Sequence, residues 1–174
     1  IALEAELKLR KNSNVRLVKL EDFFVSYRKT KLTKGEFIES IVIPKPTGKE
    51  QLITHKISKR YEDDISAVCM AINIAFSGDQ PKSIRIALGG MSGIPQRAHQ
   101  LEKALIKHWD QENLTQQAYE ALKKEFSPFN DVRASAEYRL KVSANLVKKS
   151  ILMIKGENVV DLAEMTQISS FLEA

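Results

Sequence analysis

The sequence predicts an α+β protein in which strands come first and helices follow, and three observations carry that expectation. The opening residues alternate apolar and charged with a period of two. Three later runs, all before residue 89, are apolar or β-branched and are separated by polar links. From Pro95 onward the apolar residues recur at helical spacing. A three-stranded antiparallel sheet covered by a small helical bundle accounts for the last two, and a strand ahead of it for the first.

Leu3, Ala5, Leu7 and Leu9 are apolar with Glu4, Glu6, Lys8 and Arg10 between them, the pattern of a strand with one face on a core. Asn12-Ser13-Asn14 supplies a turn and Val15, Leu17 and Leu20 a second short strand, so a hairpin is expected. Glu21-Asp22-Phe23-Phe24 suits a short helical turn. Residues 37–43 are rich in β-branched side chains and run into Pro44 and Pro46, which donate nothing to a ladder; they read as a strand with a hard end. Residues 44–50 are the expected boundary, dividing a first domain, 1–46, from a second, 47–174. Beyond it, 52–57, 67–76 and 83–88 read as strands, and the last two are joined by Ser77-Gly78-Asp79-Gln80-Pro81, a link short enough to favour antiparallel pairing.

Ala98, Leu101, Leu105 and Trp109 share one helical face, and Leu114, Ala118, Ala121, Leu122 and Phe126 share another. The longest stripe runs through Ala136, Leu140, Ala144, Val147, Ile151 and Ile154, with Gly156 placed as a C-terminal cap. A weaker helix is expected over 159–171. No internal repeat and no low-complexity segment interrupts the chain.

With 43% hydrophobic and 28% charged residues in 174, the chain has the composition of a globular protein with a real core. No run approaches the ~18 consecutive apolar residues of a membrane span and no signal peptide opens the chain, so a cytoplasmic location without membrane contact is expected. The net charge is +5, but the Lys and Arg are dispersed among 22 acidic residues, which describes a solvated surface rather than a nucleic-acid footprint. Cys69 is the single cysteine and has apolar neighbours; it supports no disulfide framework and is expected to be a small core residue. The chain starts at Ile1, directly in a strand pattern, and reads as a piece of a longer protein.

No catalytic constellation stands alone in these residues. There is no Gly-rich phosphate loop, no His-x-x-x-His pair and no Gly-x-Ser-x-Gly elbow, and His55, His99 and His108 are scattered, so neither catalytic residues nor a metal site are expected. Lys56-Ile57-Ser58-Lys59-Arg60-Tyr61-Glu62-Asp63-Asp64-Ile65 packs cations and carboxylates around an aromatic between two strands. Such a loop could hold a polar ligand, although on composition alone a solvated hairpin loop is the plainer reading. Gly89-Gly90-Met91-Ser92-Gly93 carries three glycines in five residues. It permits close backbone approach to a ligand or chain, or serves only as a flexible connection to the helices. Asp131-Val132-Arg133-Ala134-Ser135-Ala136 reads as the start of a helix, with Asp131 or Ser135 as cap.

Together these stretches resemble the FAD-binding subunit of xanthine dehydrogenase and related molybdenum hydroxylases. The resemblance runs through Phe23-Phe24, Tyr27-Arg28-Lys29-Thr30, residues 36–44 and Lys56-Ile57-Ser58-Lys59-Arg60 with Glu62-Asp63-Asp64-Ile65. It continues in Gly89-Gly90-Met91, Pro95, Arg97-Ala98, Glu102, Leu105, Asp131-Val132-Arg133-Ala134-Ser135 and Tyr138-Arg139. It covers about residues 20–150 and is specific as an ordered set rather than motif by motif.

The resemblance implies that residues 1–46 are the tail of an α/β FAD-binding domain and that the rest is the family's C-terminal flavoprotein domain. It implies FAD as cofactor, with iron–sulfur clusters and the molybdenum cofactor on partner domains or subunits, and NAD as the final acceptor. Carried over by motif position, Ile38 packs on the isoalloxazine ring, Lys56 lies near its polar edge and Asp63 sits on the loop beside it. The family's pyrophosphate-binding loop belongs upstream, so the fragment alone is expected to bind FAD weakly or not at all and to be inactive. Tyr61 stands where some relatives carry a basic residue. A carbon monoxide or aldehyde dehydrogenase flavoprotein is the near alternative, and a non-catalytic subunit-assembly module the alternative of another class.

Overall fold

Asn12 and Gly78 close the two hairpins around which the chain is organised: each takes the left-handed region, at φ 53° and 62°, in the first position of a two-residue turn. Turns of this kind match the right-handed twist of the strands they join. The computed structural model describes residues 1–59, 65–109 and 111–157. Asp63 and the helix expected over 159–171 lie outside the described residues.

The first hairpin pairs β1 (Glu6–Lys11) with β2 (Asn14–Lys19), and β5 (Phe37–Val42) adds to the other side of β1, giving the order β2-β1-β5. β1 starts at Glu6 rather than Leu3 because Glu4, at φ 57°, and the turn from the Glu4 amide to the Ile1 carbonyl keep the first residues out of the ladder. Leu20 heads the short helix α1 (Leu20–Phe23) instead of ending β2, and this delivers Phe23 to a small core with Leu7, Leu9 and Val18. A two-stranded ribbon, β3 (Phe24–Ser26) and β4 (Lys29–Thr30), follows.

The second sheet contains the three expected strands, β6 (Glu50–Ile57), β7 (Val68–Ser77) and β8 (Gln80–Gly89), all antiparallel, and extends them by a two-residue fourth, β9 (Gln96–Arg97). Val68, Met70, Ile72 and Ile74 with Ile84, Ile86 and Leu88 are buried on one face. Against that face pack α2 (His99–Lys107), α3 (Leu114–Glu125) and α4 (Ala136–Ile154), which contribute the apolar stripes the sequence marks out. Ser135 caps α4, its Oγ accepting the Tyr138 amide, and Gly156 ends it at φ 74° with the paired carbonyl bonds of a Schellman turn. The architecture is therefore α+β. No helix among the described residues is long and apolar enough to cross a membrane.

Cys69 corrects one expectation. It is out of phase with Val68 and Met70, so the pleat turns it to the sheet's other face, where its thiol is exposed.

Candidate functional site

The face of the second sheet turned away from the helices is built in register rows. Lys56, Cys69 and Gly89 form the first; Thr54, Ala71 and Ala87, joined by Arg97, the second; Leu52, Asn73 and Arg85 the third. The N-terminal residues cover the third. Arg85 reaches across with Nη1 to Glu4 Oε1 at 2.7 Å and Nη2 to Glu21 Oε2 at 2.8 Å, and a cleft of about 190 Å³ lies between Leu3, Glu4 and Ile43 on one side and Leu52 and Asn73 on the other. The first row is the most exposed, with Lys56 and Cys69 exposed and Gly89 half-buried; in the second, Thr54 is exposed and Ala71, Ala87 and Arg97 are half-buried. Apart from Lys56 and the rim residue Arg97, their side chains are small, which leaves a flat strip ending at a cation.

Ile38 belongs to the other sheet. It stands opposite Leu9 in the β1–β5 ladder, on the face that carries the buried Leu7, Leu9 and Val18, and is 44% exposed. A bulge between Lys8 and Leu9 leaves Glu39 paired with both Lys8 and Arg10 on the opposite face, so Ile38 keeps an apolar neighbourhood. Ile38 and Lys56 thus sit on separate sheets, and Asp63 falls outside the described residues.

Behind the open strip, two buried charges fix the backbone. Glu102, 5% exposed in α2, accepts the Ile86 amide at 2.8 Å and Arg97 Nε at 2.8 Å, tying helix to β8 and β9. Arg139, 2% exposed in the first turn of α4, donates to the carbonyls of Ala67 and Gly90 and to Asp131 Oδ1, and stacks on Phe129. Burial pushes the Asp131 carboxyl up, but the amides of Ala134 and Arg133 and the Arg139 guanidinium outweigh it and hold the group down at about 2. His55, on the helix side of β6, meets Ser150 Oγ at 3.0 Å. Burial first, then the Lys149 charge, push its pKa below the usual 6.5. Sequence reasoning gave Glu102 and Arg139 no role. Both are among the residues that carry the family resemblance, and Arg139 and Ser143 also fall one helical row from the apolar stripe of α4.

Comparison with known proteins bears on the same two parts. Residues 53–154 match the CO dehydrogenase flavoprotein C-terminal domain, and residues 1–46 match the FAD binding domain in molybdopterin dehydrogenase, so FAD is the cofactor that accompanies both matches. The chain is 30% identical to the glyceraldehyde dehydrogenase medium chain of Sulfolobus acidocaldarius over 86% of its own length and 52% of that protein's. It is 29% identical to the xanthine dehydrogenase of Blastobotrys adeninivorans over 80% of its length and 10% of that protein's. The structure of carbon monoxide dehydrogenase from Hydrogenophaga pseudoflava superposes with a TM-score of 0.78 at 28% identity, over 86% of this chain and 52% of that one. The chain spans about half the length of the medium chain it matches. A family match over more than half of the residues, with a flavoprotein-like fold and an FAD-domain match ahead of it, places the chain in the FAD subunit family of the molybdenum hydroxylases, as the C-terminal part of such a subunit.

Proposed function

We propose that the parent protein is the flavoprotein of a xanthine dehydrogenase-like molybdenum hydroxylase, working with a molybdenum-binding subunit or domain and an iron–sulfur domain. Residues 1–46 end its FAD-binding domain and 47–174 form its C-terminal flavoprotein domain. When bound, FAD would supply the redox chemistry, taking electrons from an iron–sulfur cluster and giving hydride to NAD.

The observation that carries this reading is the open strip of Thr54, Cys69, Ala71, Ala87 and Gly89, which has no bulky side chain to obstruct a planar ring and ends at Lys56. In this role Lys56 stabilises negative charge at a carbonyl oxygen, Ile38 excludes water from a ring face, and Asp63 acts with the opposite electrostatic sign. The 30% identity to a glyceraldehyde dehydrogenase medium chain supports a second reading, an aldehyde or carbon monoxide dehydrogenase flavoprotein built in the same way.

The test is the visible absorption of the full-length parent before and after anaerobic addition of NADH. Flavin absorption that bleaches supports the FAD and nicotinamide reading. Flavin that does not bleach removes NAD and leaves the second reading, while a colourless folded protein sinks both.

A further inference from the structure

We propose that Arg139 is a positioning residue for the end of the second sheet that carries Lys56, an inference that rests on the flavin-facing role given to that end above. Arg139 lies on the helix side of the sheet and touches none of the open strip itself. Its Nη1 donates to the carbonyls of Ala67 and Gly90, the latter at 2.9 Å, and its Nη2 to Asp131 Oδ1 at 2.7 Å. Ala67 closes the β6–β7 connection, and its amide donates to the Ile57 carbonyl at 2.7 Å, one residue after Lys56. Gly90 follows Gly89, which shares a row with Cys69 and Lys56. One guanidinium therefore bonds the backbone next to the Gly89 end of the row directly and, through Ala67 and its bond to Ile57, ties in the Lys56 end.

The surroundings agree. Gly90 sits at φ 83°, and a Cβ there would run into the Ala67 carbonyl, so the two connections approach each other with no space for a side chain. The start of the β6–β7 connection is held from the same place: Lys59 Nζ donates to the Val132 carbonyl, next to Asp131. Burying a cation is costly, and an apolar residue would serve α4 packing as well or better. What the planar fork supplies is fixed donor directions toward two backbones and a carboxylate at once. Its consequence is electrostatic. At an effective dielectric of about 20, moving a lysine from ~4 to ~6 Å away from a unit negative charge changes the corresponding equilibrium roughly tenfold.

The experiment uses the full-length flavoprotein with bound FAD and compares wild type with R139Q, R139K and D131N, with L122A as a control that opens the α3 core outside the cluster. Three quantities are read: the ratio of reduced to oxidised flavin against a reference dye, the visible circular dichroism of the flavin, and Tm. R139Q is expected to shift the ratio about tenfold and to change the dichroism. R139K, which keeps the charge but not the fork, recovers part of both, and D131N moves them in the same direction by less. L122A lowers Tm and moves neither. Wild-type flavin properties in R139Q, or an equal change in L122A at equal loss of Tm, overturn the inference. Should R139Q not fold, D131N decides by the same comparison. A folded wild type that binds no flavin overturns the underlying functional reading, whereas flavin that R139Q leaves unmoved overturns this inference alone.

Discussion

Glu102 and Arg97 form a short ion pair where α2 meets the edge of the second sheet, Arg97 Nε donating to both carboxylate oxygens at 2.8 and 3.1 Å while the same carboxylate accepts the Ile86 amide at 2.8 Å. Removing the carboxylate strands a buried amide and leaves Arg97 without this partner. Glu102→Ala should therefore cost about 3 kcal/mol in urea unfolding, and Glu102→Gln, which keeps an acceptor, about 1 kcal/mol. Equal losses in the two variants would show that the charge, not the hydrogen bond, is what matters.

His55 should make the fold sensitive to mild acid. Ser150 Oγ donates to the Leu146 carbonyl, so His55 Nε2 is the donor in the 3.0 Å contact, the tautomer expected of a neutral ring. With the folded pKa below 6.5, the unfolded chain takes up the proton first. The contribution is present above 6.5 and is lost as pH falls through the lower, folded value. Wild-type stability should decline through that window and a His55→Gln variant should decline less, checked by urea midpoints at a series of pH values. An NMR titration of the ring with a midpoint at or above 6.5 would contradict the assignment.

Cys69 should react with a thiol-specific disulfide reagent in the native chain, because its side chain lies on the exposed face of β7 opposite Lys56. One thiol per chain is expected to react without denaturant. A thiol that becomes reactive only on unfolding would return it to the core.

How much of this the sequence discloses depends on whether the information is local. The helix stripes were legible because Leu101 and Leu105, or Ala118 and Leu122, sit on one face by spacing alone, and all four are buried. The expected residue 67–76 strand is legible as a strand but not in phase: Ala67-Val68-Cys69-Met70-Ala71 is apolar throughout, so nothing in the sequence marks which alternate set faces the helices, and the core position expected of Cys69 does not hold. The two-residue β9 carries no pattern of its own and exists because Gln96 and Arg97 pair with Leu88 and Ala87. Arg139 was least legible, since two of its partners are backbone carbonyls at residues 67 and 90, and a main-chain oxygen leaves no trace in a sequence. Of the candidate site, Ile38 and Lys56 were named by resemblance, while the small-residue strip beside Lys56 emerged only from strand register.

β5 has a consequence for the chain as a material. It is held by β1 on one side only, and it exposes Ile38 and Ile41 on one face and Phe37 and Val42 on the other, so among the described residues its outer edge presents unpaired backbone groups flanked by apolar side chains. Expressed by itself, a chain with such an edge offers a template for strand addition by its own copies, the kind of edge that natural sheets cover or blunt.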